Sequence, residues 1–500
     1  MKQLQLIIAI FLMAFLTPAA SQGQTSKRDF RGVWIHTLNN DYKGMNEVRF
    51  REYISEQLTL FRQAGINAVL FQVRPEADAL YDSPYEPWSR FLTGTQGENP
   101  GYDPMAIMIE ECHKRCMEFH AWINPYRAQL NLNTNLAPKH PYNTHPEWFF
   151  KYDNKLFFNP GIPECRKYIN LIVKDIVQRY DVDGIHIDDY FYPYPAAGQE
   201  IPDLATFQKY GAATFGTAID DWRRYNVNML IQELQETIHG TKSYVKFGVS
   251  PFGIYHNQKT DGDIGSKTSG LQNYDQLYAD VLLWMKYGWI DYVVPQLYWE
   301  MGHKAADYTT LVEWWSQNSY NCPLYIGQDV DRSAQAADPE NPNTNQFPRK
   351  IALSRHWASI SGNCYWSGKV LLENPGNIYT VLEREYNHNF AIPPISPKLK
   401  NLKASNVKGL KTLWTEDGYV LIWKAPNVKL ASQMSQYYCV YRFDKKESVN
   451  LNDASKIVAI TPSIYYKLPY KDGISQYKYV VTNVNRFGCE SNGKKKTIKL

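Results

Sequence analysis

The sequence predicts an α/β chain: a (β/α)8 barrel followed by a small all-β sandwich. Three observations carry this. Between residues 31 and 386 strand patterns alternate with helical ones eight times, and eight such repeats fit a parallel sheet closed on itself. Residues 393–397, Pro-Pro-Ile-Ser-Pro, form a stiff linker. Beyond it, over residues 396–500, the pattern changes to short alternating strands, as in an antiparallel sandwich.

The elements follow in order. Residues 31–38 read as the first strand. Residues 46–65 read as an amphipathic helix, with Val48, Tyr53, Ile54, Leu58 and Phe61 at helical spacing and Gly65 as its stop. Strands are expected at 68–75, 119–126, 246–251, 292–299, 324–328 and 363–366. The helices between them fall at 103–118, 164–180, 222–238, 274–287, 308–317, 349–359 and 378–386. In the sandwich, strands are expected at 411–414, 419–424, 437–443, 456–460 and 476–483.

Residues 183–194, D-G-I-H-I-D-D-Y-F-Y-P-Y, supply the fourth strand and the pivot of the chain. Gly184, Ile185 and Ile187 suit a strand covered on both faces. Alternation puts His186, Asp188 and Tyr190 on one face and Ile185, Ile187 and Asp189 on the other. An Asp at the carboxyl end of a buried parallel strand sits where such a barrel keeps its chemistry. A single one could equally cap a helix or close a turn.

The other strand ends decide between these. Trp34 and His36 share a parity on strand one, Gln72, Arg74 and Glu76 on strand two, and Trp122, Asn124 and Tyr126 on strand three. Gln296, Tyr298 and Glu300 do so on strand six. Each set grows more polar towards its carboxyl end. Packing alone does not explain polar groups converging on one mouth, because a buried unpaired charge costs several kcal/mol. The mouth is therefore the expected active site.

Two carboxyl groups facing across a sugar bond suffice for glycoside hydrolysis. Asp188 is the candidate nucleophile or base, and Glu76 the first choice as general acid. Glu300 is the alternative acid, while Asp189 either orients its neighbour or takes a role itself. An inward Arg74 would pair with a carboxylate and lower its pKa. His36, Gln72, Asn124, His186 and Gln296 join it as candidate substrate-binding groups. Trp122, Tyr126, Tyr190, Tyr298 and Trp299 offer stacking surfaces and hydroxyls. The aromatic content of 14%, with 14 Trp and 37 Tyr, agrees with a sugar ligand, since many of these rings sit beside Asn, Pro and Gly.

Competing chemistries find less support. There is no G-x-S-x-G elbow and no H-E-x-x-H. A zinc site could be assembled from His36, His186 and Asp188, but no linear spacing asks for one, so neither metal nor cofactor is expected. Residues 488–495 approach a phosphate loop yet end in Lys where Ser or Thr is needed. Net charge is +4, and the one basic tract is Lys494 to Lys496, so nucleic acid is not the expected partner.

Lys2, an apolar run ending at Leu16, and the small residues Ala19 and Ser21 read as a signal peptide over residues 1–21, cleaved near Ser21. The run is too short to span a membrane, so an exported, periplasmic or secreted protein is expected. Seven scattered Cys do not form a disulfide framework.

Several long runs resemble a known family. They include Phe30 to Trp34 (F-R-G-V-W), residues 65–75 (G-I-N-A-V-L-F-Q-V-R-P) and residues 98–104 (E-N-P-G-Y-D-P). Residues 120–127 (H-A-W-I-N-P-Y-R), the 183–193 stretch, residues 248–253 and residues 295–299 complete the set. Together they resemble the bacterial glycosyl-hydrolase-like family ten, over about residues 28–390. The resemblance implies a TIM barrel over residues 28–392, related to the α-amylase-like glycosidases. It also implies cleavage of peptidoglycan glycan strands stripped of their stem peptides. Those glycosidases place a nucleophile two residues after a basic residue on strand four, a register that His186-Ile187-Asp188 fits with His in place of Arg. They carry the acid after strand five, where this chain has Ser250-Pro251-Phe252 and no carboxylate. A non-catalytic glycan-binding barrel is therefore the alternative expectation. Residues 396–500, with Tyr419-x-x-x-Trp423 and Tyr477-x-Tyr479-Val480-Val481, resemble a fibronectin type III domain.

Overall fold

The computed structural model describes residues 26–500 apart from 261 and 400; the expected signal segment lies outside the described residues. Eight strands close into a barrel: β1 (Phe30–Ile35), β2 (Ala68–Arg74), β3 (Glu118–Ile123), β4 (Gly184–Ile187), β5 (Lys246–Val249), β6 (Tyr292–Val293), β7 (Leu324–Asp329) and β8 (Ile360–Trp366). Each runs parallel to the next. The barrel shuts where β8 meets β1, with Gly362 opposite Phe30 and Tyr365 opposite Val33.

Alternation along each strand sorts the side chains into two layers. Val33, Val69, Phe71, Phe119, Ile185, Ile187 and Phe247 turn outward, into the core shared with the surrounding helices. Those helices include α1 (Glu47–Gln63), α2 (Pro104–Lys114), α3 (Pro163–Arg179), α4 (Ile219–Thr241), α5 (Val281–Tyr287), α6 (Tyr308–Gln317) and α7 (Phe347–His356). The buried face of α1 is Phe50, Ile54, Leu58 and Phe61, and its N-cap Asn46 accepts the Arg49 N–H. Phe30, Trp34, Leu70, Trp122, Tyr292 and Tyr325 turn inward and fill the barrel with rings. Phe30 and Tyr325 stack at 4.0 Å. Glycines make the space: a Cβ on Gly248 would lie 1.9 Å from the Tyr292 ring, and one on Gly184 2.4 Å from His120.

Several elements depart from the sequence expectation. The strand expected over 292–299 stops at Val293, because Pro295 has no N–H for the ladder. Isolated bridges from Gln296 to Phe252 and Gly327 carry the line onward. The helix expected over 274–287 is broken, with Tyr278 at φ 55° and α5 restarting on the Asp280 cap. A three-stranded antiparallel sheet, Arg127–Gln129, Phe149–Tyr152 and Lys155–Phe158, is inserted between β3 and α3. Its hairpin turns on Asp153 and Asn154, both at positive φ.

After the linker come β9 (Lys408–Thr415), β10 (Gly418–Lys424), β11 (Ser435–Asp444), β12 (Ile457–Thr461), β13 (Tyr465–Lys467), β14 (Gln476–Asn485) and β15 (Lys494–Lys499). They form two antiparallel sheets, β9-β10-β13 and β12-β11-β14-β15. The sheets share a core of Leu421, Trp423, Tyr438, Val440, Tyr479 and Val481. The larger sheet turns its other face, with Tyr437, Cys439, Tyr441 and Val480, onto Cys116 and Ile392 at the amino-end floor of the barrel.

Asp183 fastens that seam. It accepts from the Phe119 N–H at 2.8 Å and from Gln436 Nε2 at 2.7 Å. It also pairs with His113 at 2.8 Å and Arg486 at 3.3 Å. Although burial opposes it, these two cations hold its carboxyl well below the usual range. Among the described residues, no helix is long and apolar enough to cross a membrane.

Candidate active site

The mouth at the carboxyl ends of the strands opens into a cleft of about 430 Å³, within the range of small-ligand sites. Trp34, Trp122, Trp366, Tyr190, Tyr194 and Tyr298 give it aromatic walls. His36, Gln72, Arg127, Ser250 and Gln296 add polar groups, and the carboxyl groups that line it are Asp188 and Asp189. Strict alternation would have separated these two. β4 ends at Ile187, however, so beyond it the chain is free to turn both into the cleft.

Asp188 is held by a chain of side-chain amides. Thr37 N–H donates to Gln72 Oε1 at 3.0 Å, and Gln72 Nε2 donates to Asn124 Oδ1 at 2.6 Å. Arg127 Nη2 donates to the same Asn124 oxygen at 2.5 Å. Two donors on Oδ1 fix the amide so that Nδ2 faces Asp188 Oδ2, to which it donates. Trp122 Nε1 donates to that oxygen too, at 3.2 Å. Burial and then the neighbouring Asp189 push the Asp188 carboxyl up to about 7, against the pull of Arg127 and Asn124. Burial likewise raises Asp189, which accepts from the Tyr194 hydroxyl. Adjacent buried carboxyls of this kind titrate as a pair and keep one proton to higher pH than either would alone.

Beneath the cleft a ladder of hydrogen bonds runs up the barrel interior. Lys246 Nζ meets Glu118 at 2.6 Å, and Glu118 Oε2 meets His120 Nε2 at 3.0 Å. His120 Nδ1 lies 2.7 Å from the Tyr292 hydroxyl, which lies 3.1 Å from His186 Nδ1. His186 Nε2 is 2.9 Å from Ser250 Oγ and 3.2 Å from Trp34 Nε1.

One end of the ladder has a fixed direction, and neutral imidazoles carry it through the rest. An indole N–H only donates, so His186 Nε2 accepts and its Nδ1–H donates to Tyr292. The Tyr292 proton then goes to His120, whose Nε2–H goes to the Glu118 carboxylate. Lys246 and His120 hold that carboxylate below its usual range although burial opposes them. Burial keeps His186 neutral, its pKa well below the usual imidazole value. Ser250 donates downward to His186 and so presents lone pairs to the cleft.

The structure gathers some of the expected residues and disperses others. His36, Gln72, Trp122, Asp188, Asp189, Tyr190, Gln296 and Tyr298 line the cleft, and Asn124 touches it through Asp188. Glu76 does not line it. It is buried in a two-pronged ion pair with Arg90, at 2.7 and 3.1 Å, and accepts the Leu130 N–H at 2.6 Å. Glu300 lies outside as well, beside the buried Lys350, whose ammonium burial lowers to about 8. Arg74 pairs with Glu86, at 2.8 and 2.6 Å, rather than with a cleft carboxylate. His186 sits one layer below the cleft, in the ladder, where both ring nitrogens have side-chain partners. Tyr126 is buried in the core between barrel and helices, and Trp299 packs edge-on to Phe252 at 5.3 Å.

Trp34, which parity placed beside His36, lines the cleft too, and Arg127, Ser250, Trp366 and Tyr194 are cleft residues that strand parity did not select. Arg127 follows Pro125, where β3 has already ended, and enters on the inserted sheet. Its presence in the run with Trp122 and Asn124 was the available signal. Its guanidinium rests over the Tyr190 ring at 5.1 Å.

The chain has relatives among known proteins. The Glycosyl hydrolase-like 10 family profile matches residues 29–343. Glycosyl hydrolase YngK of Bacillus subtilis (strain 168) is 39% identical, over 99% of this chain and 97% of its own. Glycosyl hydrolase DigH of Escherichia coli O6:H1 is 39% identical over 68% of this chain and 83% of its own. Among solved structures, the β-amylase catalytic domain of Paenibacillus polymyxa aligns over 72% of this chain and 99% of its own, at 11% identity and a TM-score of 0.48. The profile match and the extent of the YngK alignment together mean that the chain belongs to the glycosyl hydrolase-like 10 family.

Proposed function

We propose that this protein is an exported glycoside hydrolase that cleaves an amino-sugar glycan of the cell envelope, denuded peptidoglycan strands, with Asp188 and Asp189 as its carboxyl pair. The observation that carries the reading is the pair itself, two adjacent buried carboxyls set in an aromatic cleft at a barrel mouth. Glycoside hydrolysis needs one carboxylate and one carboxylic acid. Asp188, whose Oδ2 accepts two N–H donors and whose charge Arg127 and Asn124 favour, is the member of the pair that gives up its proton first, and its Oδ1 attacks the sugar carbon or activates water. Asp189, whose partner is a hydroxyl able to donate or accept, delivers the proton to the leaving oxygen. The rings around them stack on sugar faces. In this reading residues 1–21 are a signal peptide cleaved near Ser21, residues 28–392 the catalytic domain, and residues 396–500 a fibronectin type III-like module.

Mass spectrometry of peptide-free glycan strands incubated with wild type, Asp188→Asn, Asp189→Asn and Glu76→Gln tests this. Shorter saccharides are expected from the wild type and from folded Glu76→Gln, and from neither Asp variant. Release by Asp189→Asn but not by Glu76→Gln would return the proton-donor role to Glu76. One observation favours a second reading: β5 runs into Ser250 and Pro251, with no carboxyl group at that strand end. A wild type that retains the strands on a column without shortening them would make the protein a glycan-binding barrel.

A further inference from the structure

The formal charge of +4 is unevenly distributed. Residues 396–500 carry 19 Lys and Arg against 7 Asp and Glu, a formal +12, which leaves the rest of the chain at −8. Much of this excess is ordinary surface, but part of it is arranged. Leu421 and Trp423 of β10 and Tyr466 of β13 face the core between the two sheets. Alternation therefore turns Val420, Ile422 and Lys424, and Tyr465 and Lys467, to the outer face. The register places Lys408 opposite Lys424, Lys411 opposite Ile422, and Leu413 opposite Val420. On the other side, Tyr465 stands opposite Ile422 and Lys467 opposite Val420.

Four exposed lysines thus frame an apolar strip in which Tyr465 is 54% and Leu413 48% exposed. None of the four lysines has an ion pair or side-chain hydrogen bond among the described residues. Lys408 and Lys424 face each other directly, an arrangement that costs stability. Lysines on edge strands guard against edge-to-edge pairing, which accounts for those on β9 and β13. It does not account for Lys424, which lies on the central strand β10 and is paired there with Lys408 of β9.

We propose that this face is a docking site for a carboxylate-bearing polysaccharide. Neighbouring strands about 4.8 Å apart space the ammonium groups on the scale of sugar residues. The exposed Tyr465 ring and Leu413 offer apolar surface to a sugar face, which a polyphosphate chain would not use. The site lies on the sheet remote from the barrel, so it stands or falls separately from the hydrolase reading.

Affinity electrophoresis of the mature full-length protein through gels holding polygalacturonate, dextran or polyphosphate tests it. Polygalacturonate is expected to retard the wild type, and dextran to leave it unretarded. The effect should weaken about tenfold or more in Lys411→Glu/Lys424→Glu/Lys467→Glu and at roughly 0.5 M salt. Tyr465→Ala should weaken it with the charge intact. Hydrolysis of short soluble glycans is expected to be unchanged in both variants, and Tm to be no lower in the triple variant, where Lys424→Glu relieves the repulsion from Lys408; this separates a failure here from a failure of the active-site reading. Equal retardation of wild type and triple variant, equal retardation by dextran, or stronger retardation by polyphosphate would overturn the proposal.

Discussion

The Trp122 indole N–H donates to Asp188 Oδ2 at 3.2 Å, and the Asn124 amide donates to the same oxygen. With Oδ2 saturated and Oδ1 accepting the Tyr190 N–H at 3.4 Å, the carboxyl has a fixed plane, and Oδ1 keeps a lone pair for chemistry. Asp188→Asn and Asp189→Asn are therefore expected to lower kcat by about 10²–10⁴-fold while remaining folded, as read from reducing-end release and thermal unfolding.

Glu76→Gln has the opposite signature. It removes one partner of a buried ion pair whose Arg90 side is 26% exposed, so about 1–3 kcal/mol of stability is expected to go. The folded fraction should retain kcat. Chemical denaturation alongside steady-state kinetics separates the two effects.

The Asp188 carboxyl, raised to about 7 by burial and Asp189, makes stability depend on pH. Between the unfolded value near 4 and the folded value the native Asp188–Asp189 pair holds a proton that the unfolded chain has released. Unfolding free energy therefore falls as pH rises through that window. Tm is expected to decline from about pH 4 to about pH 7. Asp189→Asn removes the second charge and should flatten the decline, and the residual Asp188 titration should move down. An identical decline in both proteins would assign it elsewhere.

Tyr292→Phe deletes the one hydroxyl that joins His120 to His186. The His186 Nδ1–H loses its acceptor and His120 loses its donor, at about 1–3 kcal/mol for each buried group left unpaired. Nitrogen-15 NMR of the imidazoles should show His186 released from its single tautomer. A fall in kcat larger than the change in KM is expected, because Ser250 loses its orientation. A merely structural Tyr292 would leave the tautomer as it was.

Arg486→Ala removes a cation from the floor of the barrel, where Asp183 keeps His113, Gln436 and the Phe119 N–H. A lower Tm with unchanged kcat is expected, since Asp183 and Asp188 lie at opposite ends of β4.

The barrel was legible because its signal is repetition: eight strand-then-helix units each carry a period of 2 followed by one of 3.6. The centre of the site was legible as well, because Asp188, Trp122 and Gln72 follow strand parity. Parity failed where strands stop. Asp189 enters the cleft because β4 has already ended, and Arg127 because a proline has ended β3 and an inserted sheet takes over. Glu76 and Arg74 misled for a related reason: a charge at a strand end looks catalytic until its partner is known. Arg90 and Glu86 lie 14 and 12 residues away, in loops whose course no periodicity reveals. The lysine face was hidden by averaging, since an acidic barrel and a basic tail nearly cancel.

The two-sheet unit is bolted to the barrel's amino-end floor through Asp183, and its three-stranded sheet lies farther out still. The cleft and the outer sheet therefore lie on opposite sides of the barrel floor. A molecule moored by its basic face would hold its mouth open to whatever passes on the far side, and would graze across the gap rather than sever its own tether.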